Sequence, residues 1–193
     1  YCYTPEPENR KVRVLFTARM IVEKGVFVLV DAALRLKEQY KDKVEFLLCG
    51  GLDDNPKAIK EEELKAVCDG EYIQWLGYRT DVLELLKSCH IVAFPSYYKE
   101  GLPKSLIEAT AVGRPIVTTN SIGCKETVID GYNGYLIPIK DSNTLAERLK
   151  ILFEDEGLRQ NMGRNSRMLA EKDFSIENVI QKHLEIYNQL SKA

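Results

Sequence analysis

The sequence has no stretch of about eighteen consecutive apolar residues, the length a membrane-crossing helix needs, so no membrane span is expected. It has no basic excess either: Lys plus Arg number 27 against 29 Asp plus Glu, which argues against a nucleic-acid partner. The five cysteines (Cys2, Cys49, Cys68, Cys89, Cys124) are scattered, with no Cys-x-x-Cys and no histidine at ligand spacing. That pattern excludes a zinc site of the usual spacing and reads as reduced thiols in a cytoplasmic protein. No Gly-x-Gly-x-x-Gly follows the first apolar run, which removes the main support for a nicotinamide dinucleotide. Asp53 and Asp54 are adjacent rather than alternating, a poor pattern for a divalent cation, and no metal is expected. There are no internal repeats or low-complexity tracts. No signal peptide is visible, and since the chain does not begin with Met it reads as a piece of a longer protein.

What is present is a 193-residue chain, enough for one substantial core, in which short apolar runs alternate with helical patterns. Strands are predicted over Val12–Ala18, Val44–Cys49, Tyr72–Leu76, His90–Phe94, Pro115–Thr119 and Tyr135–Pro138. Val26 to Tyr40 has apolar residues at helical spacing: Val26, Leu29, Val30, Ala33, Leu34 and Leu36. A charged helix is expected from the Asp53–Pro56 turn to about Asp69, and a short one to Ser88, capped by Thr80 or Asp81. A short helix is expected after Ser121–Cys124 through Ile129, and further helices over Asp141–Phe153, Gly157–Lys172 and Glu177–Leu190, the last with Ile176, Val179, Ile180, Leu184 and Tyr187 on one face. Residues 1–11, with two prolines before Arg10, have linker composition.

Short, continuously apolar strands alternating with helices point to an α/β fold, a doubly wound Rossmann-like parallel sheet covered on both faces. Ligands bind such sheets at the carboxyl ends of the strands, around the topological switch point. Most of the conspicuous polar residues fall in the loops at those ends: Arg19–Gly25, Gly50–Asn55, Gly77–Thr80, Pro95–Pro103 and Asn120–Cys124.

The run Glu100-Gly101-Leu102-Pro103-Lys104-Ser105-Leu106-Ile107-Glu108 follows the most apolar strand, and its second half reads as a helix. Pro103 suits a first helical turn, where its missing N–H is no loss. A helix N-terminus there would turn free N–H groups toward the strand ends, a place for a phosphate beside a hydroxyl-rich molecule. Paired carboxylates such as Glu100 and Glu108 suit acid–base work, glycoside hydrolysis, or the binding of adjacent sugar hydroxyls. Arg19 and Lys24 could converge on a diphosphate. Loop cations are commonly just solvated, however, and taken singly these charges carry no assignment. His90 and His183 read as structural or exposed, and Arg159, Arg164 and Arg167 as a solvated basic face.

Five segments in order carry a resemblance: Ala18-Arg19 with Glu23-Lys24-Gly25; Trp75-Leu76-Gly77-Tyr78-Arg79 with Asp81; Glu100 through Glu108; Gly113-Arg114-Pro115-Ile116-Val117; and Asp130-Gly131-Tyr132-Asn133-Gly134. The chain resembles, from about Val12 to Leu190, the C-terminal donor-binding domain of the retaining GT-B glycosyltransferases of family 4. The resemblance implies a reaction, transfer of a sugar from a nucleotide-diphosphate donor with retention, and a role for each residue. Arg19 and Lys24 would neutralise the diphosphate in place of a metal. Gly77, Tyr78 and Arg79 would border the base. Glu108 would hold the ribose hydroxyls, and Glu100 the donor sugar near the reacting face. The backbone around Gly101, Leu102, Lys104 and Ser105 would face phosphate or sugar, with one amide fewer because of Pro103.

On that basis residues 1–11 are expected to link to a preceding acceptor domain, 12–172 to bind the nucleotide sugar, and 173–193 to form a helix packed on that preceding domain. The expected substrate is a UDP-sugar with no further cofactor. The expected partners are the chain's own N-terminal domain and a lipid-linked acceptor at the inner membrane face, with a place in cell-surface polysaccharide or lipid-linked glycan synthesis. The isolated chain is expected to transfer no sugar. Two alternatives stand beside this: a nucleotide-sugar-binding module without catalysis, and another Rossmann-like sugar-nucleotide enzyme such as an epimerase.

Overall fold

The computed structural model describes residues 1–8, 10–55, 57–99 and 101–190; Asn9, Pro56, Glu100 and the side chains of Val179 and Lys182 lie outside the described set. The strands are β1 (Val12–Thr17), β2 (Val44–Cys49), β3 (Ile73–Gly77), β4 (Ile91–Phe94), β5 (Ile116–Thr119) and β6 (Gly134–Ile137). They form one sheet in the order β3-β2-β1-β4-β5-β6, with every neighbouring pair parallel. The order reverses between β1 and β4, where Val14 lies opposite Ile91. The crevice at the carboxyl ends of these two strands is therefore the switch point.

The continuous apolar character of β1 and β4 follows from this central position. Val14, Leu15, Phe16, Ile91, Val92 and Ala93 are all buried, because helices cover the sheet on both faces. The helices are α1 (Val26–Tyr40), α2 (Glu61–Val67), α3 (Val82–Ser88), α4 (Lys104–Val112), α5 (Ser142–Glu154), α6 (Glu156–Asp173) and α7 (Ile176–Leu190). Helix α1 packs against α5, while α4 packs against α3 and α6. Along α1 Val26, Leu29, Val30, Ala33 and Leu36 are buried as their spacing predicts, and Tyr40 with them, whereas Leu34, expected on the same stripe, is 48% exposed. Each large aliphatic or aromatic side chain buried in this way contributes about 1.5–3 kcal/mol.

Several expectations need correcting. The helix expected from Pro56 begins only at Glu61. The preceding stretch is held extended by tertiary contacts: Val22 donates to the Lys57 carbonyl at 3.0 Å, and Ala58 bridges Ile21. Between Ser121 and Ile129 there is only a short 3-10 turn, Lys125–Thr127. Asp81 stands at the N-terminal cap of α3 but makes no capping bond; its carboxylate instead forks the Arg79 guanidinium at 2.7 and 2.5 Å. Pro103 is the residue before α4 rather than its first turn, with φ −64° and ψ 118°. Arg159 is not solvated: it is 6% exposed and bonds Glu6 at 2.6 Å and the Leu152 carbonyl at 2.7 Å.

Two of the segments that carry the resemblance hold structural residues. Arg114 is 1% exposed and donates to the carbonyls of Leu86, Lys87 and Pro5. It thereby satisfies orphan carbonyls at the end of α3 and ties down the N-terminal segment. Asn133, fully buried, accepts from the Ile129 amide and donates to the Thr127 carbonyl, closing the turn before β6. His90 is buried too, and its Nδ1 accepts from the Arg13 amide at 3.0 Å. All five cysteines are free. Residues 1–8 lie along the body: the Thr4 amide bonds the Val112 carbonyl at 3.0 Å, and Glu6 bonds Arg159. Helix α7 exposes its apolar face, with Ile176, Ile180, Leu184 and Tyr187 each at least 50% exposed. Among the described residues no helix is long and apolar enough to cross a membrane.

Candidate functional site

The switch-point crevice is shaped by the loops after β1, β2 and β4, and these are bonded to one another. The Ala18 and Met20 amides donate to the Cys49 and Gly51 carbonyls at 3.1 and 3.0 Å. The Trp75 indole donates to the Gly50 carbonyl at 2.9 Å. Across the crevice, the amides of Tyr97 and Tyr98 both donate to the Glu23 carbonyl, at 2.9 and 3.1 Å. Gly25 allows this approach: its φ is 86°, and a Cβ there would lie 2.1 Å from the Pro95 carbonyl oxygen.

A cavity of about 240 Å³ opens at this crevice, lined by Thr17, Arg19, Cys49, Gly50, Tyr78, Arg79, Lys104, Ser105 and Glu108 among others. Its polar groups come from separate elements. Arg19 follows β1 and is 61% exposed, with Nη1 2.8 Å from Asp53 Oδ2. An exposed ion pair of this kind is worth about 0–1 kcal/mol, so a ligand phosphate can recruit the guanidinium at small cost. Burial pushes the Cys49 thiol up, so it remains neutral in the wall. Helix α4 presents its N-terminus and, one turn further, Glu108, which is buried at 9% exposure. The amides of Leu106 and Ile107 are taken by the Pro103 carbonyl at 3.1 and 3.2 Å. Those of Lys104 and Ser105 have no protein acceptor among the described residues. With proline at the cap, these two amides and the positive end of the helix dipole are what the helix offers an anion.

The structure thus brings Arg19, Tyr78, Arg79, Lys104, Ser105 and Glu108 together. Gly77 precedes Tyr78 at the end of β3, with φ 66°. Lys24 is not among the residues lining this cavity; its ammonium lies 4.8 Å from the Tyr98 ring centre and 5.9 Å from that of Phe94. Gly101 and Leu102 are exposed in the loop before α4. Glu100 lies outside the described residues.

Two participants escape sequence reading. Asp53 is the partner of Arg19, although its adjacent pairing with Asp54 signals nothing. Tyr1 donates its phenolic O–H to Glu108 Oε1 at 2.5 Å across 107 positions of sequence, and no local pattern announces such a contact. Among the described residues no group of three or more His, Cys, Asp or Glu side chains could hold a metal ion.

A parallel sheet of this order, with helices on both faces and its crevice at the switch point, defines a Rossmann-like α/β domain. Residues 4–168 match the model of the family "Glycosyl transferases group 1", and the chain belongs to that family. It is 38% identical over 185 residues to the N,N'-diacetylbacillosaminyl-diphospho-undecaprenol alpha-1,3-N-acetylgalactosaminyltransferase of Campylobacter jejuni, covering 95% of this chain and 46% of that protein. It is 26% identical to the capsular polysaccharide biosynthesis glycosyltransferase CapM of Staphylococcus aureus, over 92% of this chain and 46% of that one. Among solved structures, Anabaena Alr3699/HepE in complex with UDP superposes with a TM-score of 0.81 at 25% identity, over 95% of this chain and 50% of that chain. The C-terminal domain of the Francisella tularensis group 1 glycosyl transferase LpcC shares the fold, with a TM-score of 0.75 at 22% identity over 96% of that chain. The chain spans about half the length of the curated relatives it matches, and its fold is that of the C-terminal domain of GT-B glycosyltransferases.

Proposed function

We propose that this chain is the donor-binding half of a retaining glycosyltransferase that transfers a sugar from a nucleoside diphosphate, with a UDP-sugar as the substrate. The observation that carries the reading is the position of Glu108. Its buried carboxylate lies one turn inside α4, in the same cavity as the free Lys104 and Ser105 amides and the Arg19 guanidinium. A diphosphate at the helix N-terminus puts the adjoining ribose within reach of a carboxylate, which accepts from hydroxyls without any proton transfer. Gly77, Tyr78 and Arg79 border the base. Loss of the nucleoside diphosphate places negative charge on the leaving oxygens, and fixed cations and amides stabilise it without reorganisation. Arg19 supplies this charge from within the cavity, Lys24 in the loop after β1 is assigned the second cationic role, and the reading needs no metal. Glu100 holds the donor sugar.

The acceptor side comes from a preceding domain, on which the exposed apolar face of α7 packs; alone, the chain transfers no sugar. The acceptor in this reading is a lipid-linked glycan at the cytoplasmic membrane face. It is supported by the Campylobacter relative, whose name specifies a diphospho-undecaprenol acceptor. The test is calorimetric titration of the chain with UDP, with and without EDTA. UDP binds equally in both conditions, and Glu108→Ala lowers its affinity by about 10–100-fold, the loss of bonds to a charged group. Unchanged affinity in Glu108→Ala would remove Glu108 from the site.

A further inference from the structure

Glu108 separates two cavities. The front one, at the switch point, holds Arg19 and Ser105; the back one, of about 580 Å³, is lined by Tyr1, Ile107, Ala111, Arg167 and Phe174 among others, and Lys104 lines both. The carboxylate is approached from the back by the Tyr1 phenol, which donates to Oε1 at 2.5 Å. The Lys104 ammonium lies 3.4 Å from the same oxygen. No bond to Oε2 is made by the described residues. One oxygen is therefore engaged inside the protein while the other is left for a ligand.

Tyr1 is itself fixed. Its carbonyl accepts from Arg167 Nη1 at 3.0 Å, and the same nitrogen donates to the Ala111 carbonyl at 2.8 Å. Two residues on, the Tyr3 ring packs over Gly113, where a Cβ would come within 2.6 Å of it. The Thr4 amide then bonds the Val112 carbonyl. The segment is thus anchored at several points to the C-terminal half of α4, the helix that carries Glu108, and to α6, which packs on it. Lys104, by contrast, is 87% exposed on a flexible stem and cannot set the direction of a buried carboxylate.

We infer that Tyr1 is a positioning residue for nucleotide recognition: its phenol holds one oxygen of Glu108 from behind, so that the other faces the ribose hydroxyls. The inference rests on Glu108 being the ribose clamp. Its bond to the Glu108 carboxylate, with burial, pushes the phenol up to about 12, so it remains a donor throughout the neutral range.

The experiment compares UDP with 2′,3′-dideoxyuridine 5′-diphosphate by calorimetry on the chain and on Tyr1→Phe, which keeps the ring and removes only the donor. The wild-type chain prefers UDP. Tyr1→Phe loses about tenfold in affinity for UDP and little for the dideoxy nucleotide, so the preference collapses. A purely structural role would weaken both nucleotides alike. Tyr1→Phe retaining the wild-type preference, or weakening both nucleotides equally, overturns the inference while leaving Glu108 as the clamp. A wild-type chain that does not distinguish the two nucleotides, or does not bind UDP, overturns the clamp itself and the inference with it.

Discussion

Arg114 belongs to one of the five segments that carry the family resemblance, and an arginine there invites a catalytic role. The structure gives it a different one, and Arg114→Leu separates the two. The guanidinium donates to Leu86 O at 2.8 Å and to Lys87 O and Pro5 O at 3.1 Å, at 1% exposure. Leucine strands these carbonyls, and each buried acceptor without a donor costs about 1–3 kcal/mol. Two effects reduce the sum. The Leu86 carbonyl keeps the Cys89 thiol at 3.3 Å, and the variant no longer desolvates a guanidinium whose pKa burial pulls below its ordinary value. The net loss is taken as about 3 kcal/mol, within the range for disrupting buried charged contacts. For a domain of this size that lowers Tm by about 6–12 °C. Thermal unfolding followed by circular dichroism measures it, with UDP titration of the folded variant alongside. Arg114→Leu should lower Tm and leave UDP affinity unchanged within about threefold. A Tm shift below about 2 °C, or lost UDP affinity at unchanged stability, would refute it.

Gly25→Ala places a Cβ 2.1 Å from the Pro95 carbonyl oxygen at φ 86°, so it should both destabilise the chain and weaken UDP by pushing apart the loops after β1 and β4. Gly77→Ala, at φ 66° with nothing within 4 Å, should cost only the backbone strain, about 1–2 kcal/mol, and the pair is compared by thermal unfolding. His90 should give stability a pH dependence. Burial, with Arg159, Arg114 and Arg13 nearby and despite a backbone hydrogen bond at Pro7, lowers its pKa from 6.5 to about 4. The unfolded chain therefore binds the extra proton between those values, and the His90 contribution is complete above about pH 6.5 and lost as pH falls toward 4. Urea unfolding across that range should show a shallower acid loss in His90→Asn than in the wild-type chain.

The sheet was legible because its strands are buried on both faces, so Val12–Thr17, Val44–Cys49 and Ile91–Phe94 stand out as short apolar runs between polar loops. Helix α1 was legible from spacing alone. What failed depends on distant partners. Lys57–Ile59 are charged and apolar in a helix-compatible pattern, but pairing with Val22, Ile21 and Met20 holds them extended. Arg159 sits on a helix rich in arginine, and only the arrival of Glu6 from the N-terminal segment makes it a buried pair. At the site, the strand-end loops could be picked out because loops at the carboxyl ends of parallel strands converge, but the joint roles of Arg19, Lys24 and Glu108 came from the resemblance, and Lys24 does not line the cavity. The contact between Tyr1 and Glu108 could not, since it joins a segment of linker composition to a helix more than a hundred positions away.

The central claim is that a nucleoside diphosphate sits at the switch point with its ribose on Glu108. A crystal structure of the chain with UDP tests it most directly. The account predicts the diphosphate against the Lys104 and Ser105 amides and Arg19, the ribose hydroxyls within hydrogen-bond distance of the Glu108 carboxylate, and the uracil beside Gly77, Tyr78 and Arg79. UDP bound elsewhere, or bound at the crevice with its ribose turned away from Glu108, would contradict it.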